Sequence, residues 1–526
     1  MKRYRATAPL LAGLVALAIA AIALNAYRDL LGRPFAADDY QWLLAVRGLS
    51  AGQVVQRAFD AGAQSHFYRP LVWLLVWAQW WMFDLEPAGY HVVSLALHLL
   101  NAALAGLLAY RLQIADCRLQ IEHGAPQSTI YKLQSTIPIV AMAIVALHPA
   151  PFEAVTWISA QSELLAAALL LAALHLWLPK RGDKQTSRQG DQAHTLMASL
   201  SPGLLVSTLA YGLALLAKES AVIGLPLLIL AGCPNAQTFK RSNVQHLARY
   251  LLPTLITLAY VALQISVERR NYLLRQGGYG LGPQLVLNPL RSLALVVAPL
   301  PGSEHADAAW LVPVGAIVAL ILLAWLALNV RFMIGVRQSQ SQPTIYNPQS
   351  AIILALGLTL LPTAPFASPP DSRYLYLPVI AAALLLACTM YDVRRTIGSR
   401  PLIINRQSKI VHWSLVAGRW SLVVGLAWWS AGELRAREGR FAAGAGPGGS
   451  LWRLATSVCA EGQPERMVVV EPPLATPHAE AIVALSCGSD VKALVVGRDQ
   501  VARAAKGRAV VVEFPNGSAQ VTRRTR

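Results

Sequence analysis

The sequence predicts an all-α polytopic membrane protein carrying a small extracytoplasmic α/β domain at its C-terminal end. Three observations predict it. Hydrophobic residues make up 55% of the 526-residue chain and charged residues only 14%, where a soluble chain carries about a quarter charged. Mean hydropathy is +0.44, and many apolar runs approach the roughly 20 residues that cross a bilayer. Beyond residue 450 the pattern changes to short Val-rich runs separated by a helical stretch, the signature of a mixed domain.

The net charge of +18 does not indicate nucleic acid. Lys and Arg sit between apolar runs and in the C-terminal tail, where topology and anionic headgroups account for them. The five cysteines lack the paired spacing of a zinc or redox motif.

In chain order, the basic start Met1–Arg5 precedes an apolar run from Ala8 to Ala26. A signal peptide begins in the same way, with Ala21-Ile-Ala23 as its cleavage site. The run is long for that, so it is taken as an uncleaved first span with its N-terminus in the cytoplasm. Residues 27–89 then form an outer loop, in which Pro70–Phe83, with four tryptophans, suits a helix on the outer leaflet. Further spans are expected near 90–110, 137–150, 157–178, 201–217, 221–233, 250–267, 311–330, 351–366, 374–391 and 411–430. The Pro-broken piece from Leu285 to Pro301 is assigned to the membrane surface or a re-entrant turn. Were it a span, Arg331 and Arg337 would fall on the wrong face. Eleven spans is the count that keeps the basic loops inside.

Residues 1–430 are thus a transmembrane domain, 431–450 a Gly-rich linker and 451–526 the α/β domain. Its strands are expected at 467–471, 492–497 and 509–514, with a helix near 478–486. Cys459 and Cys487 both fall in it, and an oxidising compartment would let them pair; spacing alone leaves that open. Residues 127–137 and 342–352 match at seven of eleven positions and read as an inserted repeat without a function.

Under this topology one set of polar residues gathers on the outer face: Asp38, Asp39, His66, Arg69, His91, His148, Glu153, Glu163, Lys218, Glu219 and Arg373. Ionisable groups at span ends are unfavourable unless paired or wet, so they mark function or tight structural pairs. A site of these types suits transfer onto a hydroxyl. A carboxylate takes the acceptor proton, and cations hold a phosphate leaving group. The adjacent Asp38 and Asp39 point in different directions, so one serves as base while the other is free to cap the following helix. His91 and His98 share a face of the second span, with His98 deeper and suited to packing. Lys218-Glu219 also fits a structural ion pair, and Arg373 also fits an interfacial snorkel. A divalent metal finds no HxxxH or HExxH spacing to support it. A transporter or flippase of lipid-linked sugars is the competing reading. It would show mirrored halves and broken spans, whereas the sequence has one Pro-broken piece and no mirrored halves.

Five stretches resemble a known family: Phe35-Ala-Ala-Asp-Asp-Tyr-Gln-Trp42, His66-Phe-Tyr-Arg-Pro-Leu71, Tyr90–Asn101, His148–Ser159 with Glu163, and Ala217-Lys-Glu-Ser220 with Ser372-Arg-Tyr-Leu-Tyr-Leu-Pro378. Together they resemble the GT-C membrane glycosyltransferases, in the protein O-mannosyltransferase-like and transmembrane-TPR O-mannosyltransferase-like branch. The resemblance covers about residues 1–430. It implies a polyprenyl-phosphate sugar donor, a lipid, glycan or protein acceptor, and an inverting displacement facing outside, in the plasma membrane of a prokaryote. It assigns catalysis to Asp38 and Asp39 and the donor phosphate to Arg373, with Lys218 the second cation suited to the departing phosphate. His66, Arg69, His91, His148, Glu153, Glu219 and Tyr374 support acceptor or site. No 34-residue TPR periodicity follows the membrane part.

Overall fold

The computed structural model describes residues 2–62, 64, 67–121, 136–178, 202–232, 244–269, 277–301, 308–336, 348–398 and 406–525. Most of the inserted repeat and of the basic loops lies outside them, as does His66.

The first helix, α1 (Lys2–Ala26), leads into a cap of short helices: α2 (Asp39–Val46), α3 (Ala51–Phe59) and α4 (Pro70–Phe83). Long helices follow: α5 (Pro87–Ile121), α6 (Thr136–Leu147), the single-turn α7 (Phe152–Thr156), α8 (Gln161–Trp177), α9 (Pro202–Ala217), α10 (Gly224–Gly232) and α11 (Val244–Glu268). Next come α12 (Gln284–Val297), α13 (Leu311–Val336), α14 (Pro348–Leu360), α15 (Tyr376–Gly398) and α16 (Arg406–Glu461). Setting aside the short α2, α3 and α7 and the surface candidates α4 and α12, eleven helices remain among the described residues.

Among the described residues, five stretches are long and apolar enough to cross a membrane, and seven shorter ones are apolar, α4 and α12 among them. Burial agrees with a bilayer as solvent. On α13, Leu320, Ile321, Leu323 and Leu328 are 59–66% exposed, an outward apolar face that only hydrocarbon accommodates at this scale. Polar groups instead turn inward, as with Ser207 and Asn101 at 0%. The chain is an integral, multi-pass membrane protein.

Small residues let the interior close. On α5, Ala102, Ala105 and Ala109 are fully buried. A Cβ on Gly106 would meet the Pro138 carbonyl oxygen of α6 at 2.7 Å, an approach typical of helix contacts in lipid.

Two boundaries differ from expectation. α5 runs 35 residues, past the predicted end at 110, because the polar Arg111–Ile121 stretch keeps good helix formers. Residues 431–450, expected as a linker, are helical within the 56-residue α16. Glycines there forfeit about 1 kcal/mol each of helix propensity, but they permit contact. A Cβ at Gly449 would stand 3.0 Å from Pro34, and one at Gly448 3.5 Å from Tyr40.

α16 delivers the chain to a four-stranded sheet ordered β2-β1-β3-β4: β1 (Arg466–Val470), β2 (Lys492–Val496), β3 (Ala509–Glu513) and β4 (Gln520–Arg524). The first three are parallel, and β4 is antiparallel to β3. The connecting helix α17 (Thr476–Cys487) covers one face. β4 was not expected, since Val521 is its single apolar residue and alternation has nothing to mark. Cys459 and Cys487 are bonded, tying the end of α16 to the end of α17.

The α/β domain sits on the cap and shares a core with it. Phe35, Tyr40, Leu43 and Tyr90 pack with Leu451, Met467 and Ile482, and Tyr40 stacks on Trp452 at 6.0 Å. This core fixes the loop that carries the two aspartates.

Candidate active site

The Phe35–Trp42 stretch is held before α2 by its own hydrogen bonds. Tyr40 Oη donates to the Phe35 carbonyl at 3.0 Å, and the Phe35 ring meets Tyr90 edge-on at 5.3 Å. Ala37 adopts φ +46°, in the left-handed region that disfavours a Cβ. Asp39 stabilises this turn, because its Oδ2 accepts the Ala36 N–H at 2.9 Å.

The two aspartates face different environments. Asp39 is 2% exposed, and its Oδ1 accepts both the main-chain N–H of Ser159 at 2.7 Å and the Ser159 hydroxyl at 2.5 Å. With three donors on two oxygens it is a structural tie between α2 and the start of α8. Asp38, at the N-terminus of α2, makes no side-chain cap, and its Oδ1 is buried with no hydrogen-bond partner. Asp39 takes the structural part, and Asp38 has the open oxygen.

Burial, and then the neighbouring Asp38 charge, push the Asp39 carboxyl up to about 7. Burial raises Asp38 as well, while Arg373, the Ser159 hydroxyl and His478 work against that rise.

Arg373 faces Asp38 electrostatically. Its guanidinium pairs with the half-exposed Asp371 at 2.7 Å and lies 4.4 Å from the Trp157 ring centre and 5.1 Å from that of Tyr374. Its backbone is fixed too: the Arg373 N–H donates to Glu153 Oε2 at 3.3 Å, and the Glu153 N–H to Ser372 Oγ at 3.4 Å. Burial, then Asp371, raises the Glu153 carboxyl against Arg373. Glu153 and Tyr374 thus hold Arg373 in place.

Lys218 is 2% exposed and forms an ion pair with Glu163, itself 4% exposed. Its ammonium lies 4.9 Å from the Tyr374 ring centre. The Lys218–Glu219 neighbours therefore do not pair with each other as the sequence allowed. Glu219 instead receives two bonds from Arg69, at 2.7 and 2.6 Å. Crossed pairing follows from geometry, since adjacent side chains in a tight turn diverge. His148 is tied to main chain, accepting the Ala150 N–H at Nδ1 and donating from Nε2 to Val296. His91 is 1% exposed beside the Arg33 main chain. His98 bonds Tyr376 Oη at 2.9 Å and the Ala146 carbonyl at 3.2 Å, a packing residue. Among the described residues, no three His, Cys, Asp or Glu side chains converge as metal ligands.

The structure therefore brings Asp38, Asp39, Glu153 and Arg373 into one neighbourhood and links Lys218 to it through Tyr374. His148 is fastened to main chain. Sequence reasoning passed over Ser159, Trp157 and His478. Ser159 had a signal, as a polar residue beside Trp157 at a predicted outer span start. His478 had none, being 440 positions from Asp38 in another domain.

No family model matches the chain. Over 149 residues it is 34% identical to protein O-mannosyl-transferase Tmtc3 of Drosophila melanogaster, a match covering 28% of this chain and 16% of that protein. Over that stretch the chain resembles a protein O-mannosyl-transferase. Among solved structures, the Archaeoglobus fulgidus oligosaccharyltransferase tethered to an acceptor peptide overlaps 93% of this chain and 64% of its own, with 12% identity and a TM-score of 0.46. ArnT from Cupriavidus metallidurans bound to undecaprenyl phosphate overlaps 96% of this chain and 93% of its own, with 12% identity and a TM-score of 0.45. These are loose likenesses, and the chain spans about one sixth of the length of the O-mannosyltransferase.

Proposed function

We propose that this protein is a membrane glycosyltransferase that moves a sugar, mannose-like or another hexose or pentose, from a polyprenyl-phosphate donor to a hydroxyl acceptor, with inversion. The observation that carries the reading is Asp38, a carboxylate with a buried, unpartnered oxygen under the influence of the Arg373 guanidinium. The local likeness to an O-mannosyl-transferase supports the reaction class.

In this mechanism the acceptor hydroxyl gives its proton to Asp38 as its oxygen attacks the anomeric carbon. The bond from that carbon to the phosphate oxygen breaks, and its electron pair leaves with the lipid phosphate. Arg373 meets that developing charge. Lys218, neutralised by Glu163 inside the protein, supports Tyr374 and not the phosphate directly. The Cys459–Cys487 bond favours an outward face, because disulfides persist in oxidising compartments and this one lies in the domain that covers Asp38.

Two measurements in proteoliposomes test the assignments. Burial raises the Asp38 carboxyl above its ordinary range, so the rate should fall on acidification while the pH is still above that range, as the base takes up its proton. A plateau down to about pH 4, the ordinary range of an aspartate, contradicts a base at Asp38. Arg373→Ala should raise KM for the polyprenyl-phosphate donor by roughly 10- to 100-fold, the magnitude of one lost charge-assisted contact. An unchanged donor KM removes Arg373 from the phosphate site.

A further inference from the structure

The guanidinium of Arg373 has few firm attachments. Its ion-pair partner Asp371 and its ring neighbour Tyr374 adjoin it in the chain. Asp371 is half-exposed, so water competes for that pair and it restrains little. Glu153 accepts from the Arg373 main chain and leaves the side chain free. Trp157 is different. It comes from a distant part of the chain, and its ring centre lies 4.4 Å from the guanidinium carbon.

The short segment between α7 and α8 delivers this ring. The Trp157 N–H donates to the Glu153 carbonyl, and the Trp157 carbonyl accepts the Ala160 N–H, both at 3.0 Å. Two residues on, Ser159 bonds Asp39, so one stretch serves both the carboxylates and the cation. α16 braces the ring from its own side. The Phe441 ring centre lies 6.1 Å from that of Trp157 and 6.2 Å from that of Phe152. Phe152 precedes Glu153, which holds the Arg373 main chain. The contacts form a closed circuit around Trp157.

An aromatic face suits the task. It attracts the cation without using the N–H donors at the guanidinium edge, which are the groups that read phosphate oxygens. The Arg373 side chain is 21% exposed, so part of it stays open to a ligand. The indole N–H is buried with no hydrogen-bond partner, so Trp157 contributes here through its ring face.

We propose that Trp157 is a positioning residue for donor recognition, whose ring holds the Arg373 guanidinium in the orientation that meets the donor phosphate. This rests on the reading of Arg373 as the phosphate cation. Trp157 acts through Arg373 and touches no reacting atom.

The test measures donor KM with a polyprenyl-phosphate sugar and the full chain in proteoliposomes. Trp157→Leu keeps an apolar side chain without an aromatic face. It should raise donor KM by about 3- to 30-fold, the range of one cation–π contact. Trp157→Phe restores a ring, gives up no hydrogen bond and should recover most of that loss. The decisive comparison adds Trp157→Leu to Arg373→Ala. A residue that acts through Arg373 then has nothing to position, so the double variant should match Arg373→Ala within about twofold. Should Trp157→Leu not fold, Phe441→Ala, which removes packing from the ring, takes its place with the same expectations. A single-variant KM within about twofold of the parent, a loss that Trp157→Phe does not recover, or two losses that multiply in the double variant overturns the proposal.

A second readout does not depend on turnover. In protein labelled with 15N-arginine, the Arg373 Nε–H signal is identified by its absence in Arg373→Ala. Its exchange with water should quicken by about threefold or more in Trp157→Leu and slow again in Trp157→Phe. An unchanged rate removes the restraint. Should Arg373→Ala leave donor KM unchanged, the phosphate reading fails, and the exchange rate alone decides whether Trp157 holds this guanidinium.

Discussion

Asp38→Asn should lower sugar transfer by about 10²–10⁴-fold, the contribution of a positioned general base, while the protein folds as before. The contrast with Asp39 makes this informative. Asp38 has no side-chain cap to α2 and leaves an oxygen unpartnered, so the amide removes proton acceptance and little structure. Asp39 accepts from Ala36 and twice from Ser159. Asp39→Asn sets an NH2 group against donors and strands buried N–H groups at about 1–3 kcal/mol each. Both variants lose activity, and thermal unfolding in detergent separates them. Asp38→Asn keeps the parent Tm, and Asp39→Asn unfolds earlier.

Glu163→Ala should destabilise the protein by about 3–5 kcal/mol, because it leaves the Lys218 ammonium buried without a counter-charge. Lys218 and Glu163 are each under 5% exposed and lie where α8 meets the turn between α9 and α10, so water has little access to either. The effect should reach the site. Lys218 sits under the Tyr374 ring, and Tyr374 in turn lies beside Arg373. Replacing both partners with Met, close in length, should recover most of the stability, since the isolated charge is then absent. Unfolding in detergent for the single and double variants checks this. A Glu163→Ala protein as stable as the parent would mean that the pair is hydrated.

The helices were legible because apolar runs and basic loops are one-dimensional signals. Asp38 and Asp39 stood out for the same reason, as carboxylates just past the first span. What the sequence could not carry was partner choice. Lys218 and Glu219 are adjacent, yet they pair with Glu163 and Arg69, because a tight turn sends neighbouring side chains apart. The helicity of 431–450 was hidden by glycines whose value is close approach to Pro34 and Tyr40, a tertiary property. His478, whose charge acts on Asp38, was invisible because only tertiary packing brings the C-terminal domain against α2. The division of labour between the two aspartates depended on Ser159, whose position 120 residues away no local pattern relates to Asp39.

The most direct test follows a labelled sugar on a polyprenyl phosphate in proteoliposomes of the parent and the Asp38→Asn variant. The label should move to a hydroxyl acceptor with inverted anomeric configuration in the parent and remain on the lipid in the variant. Equal transfer by both proteins, or movement of intact lipid-linked sugar across the bilayer with no labelled acceptor, would contradict the assignment of this site to glycosyl transfer.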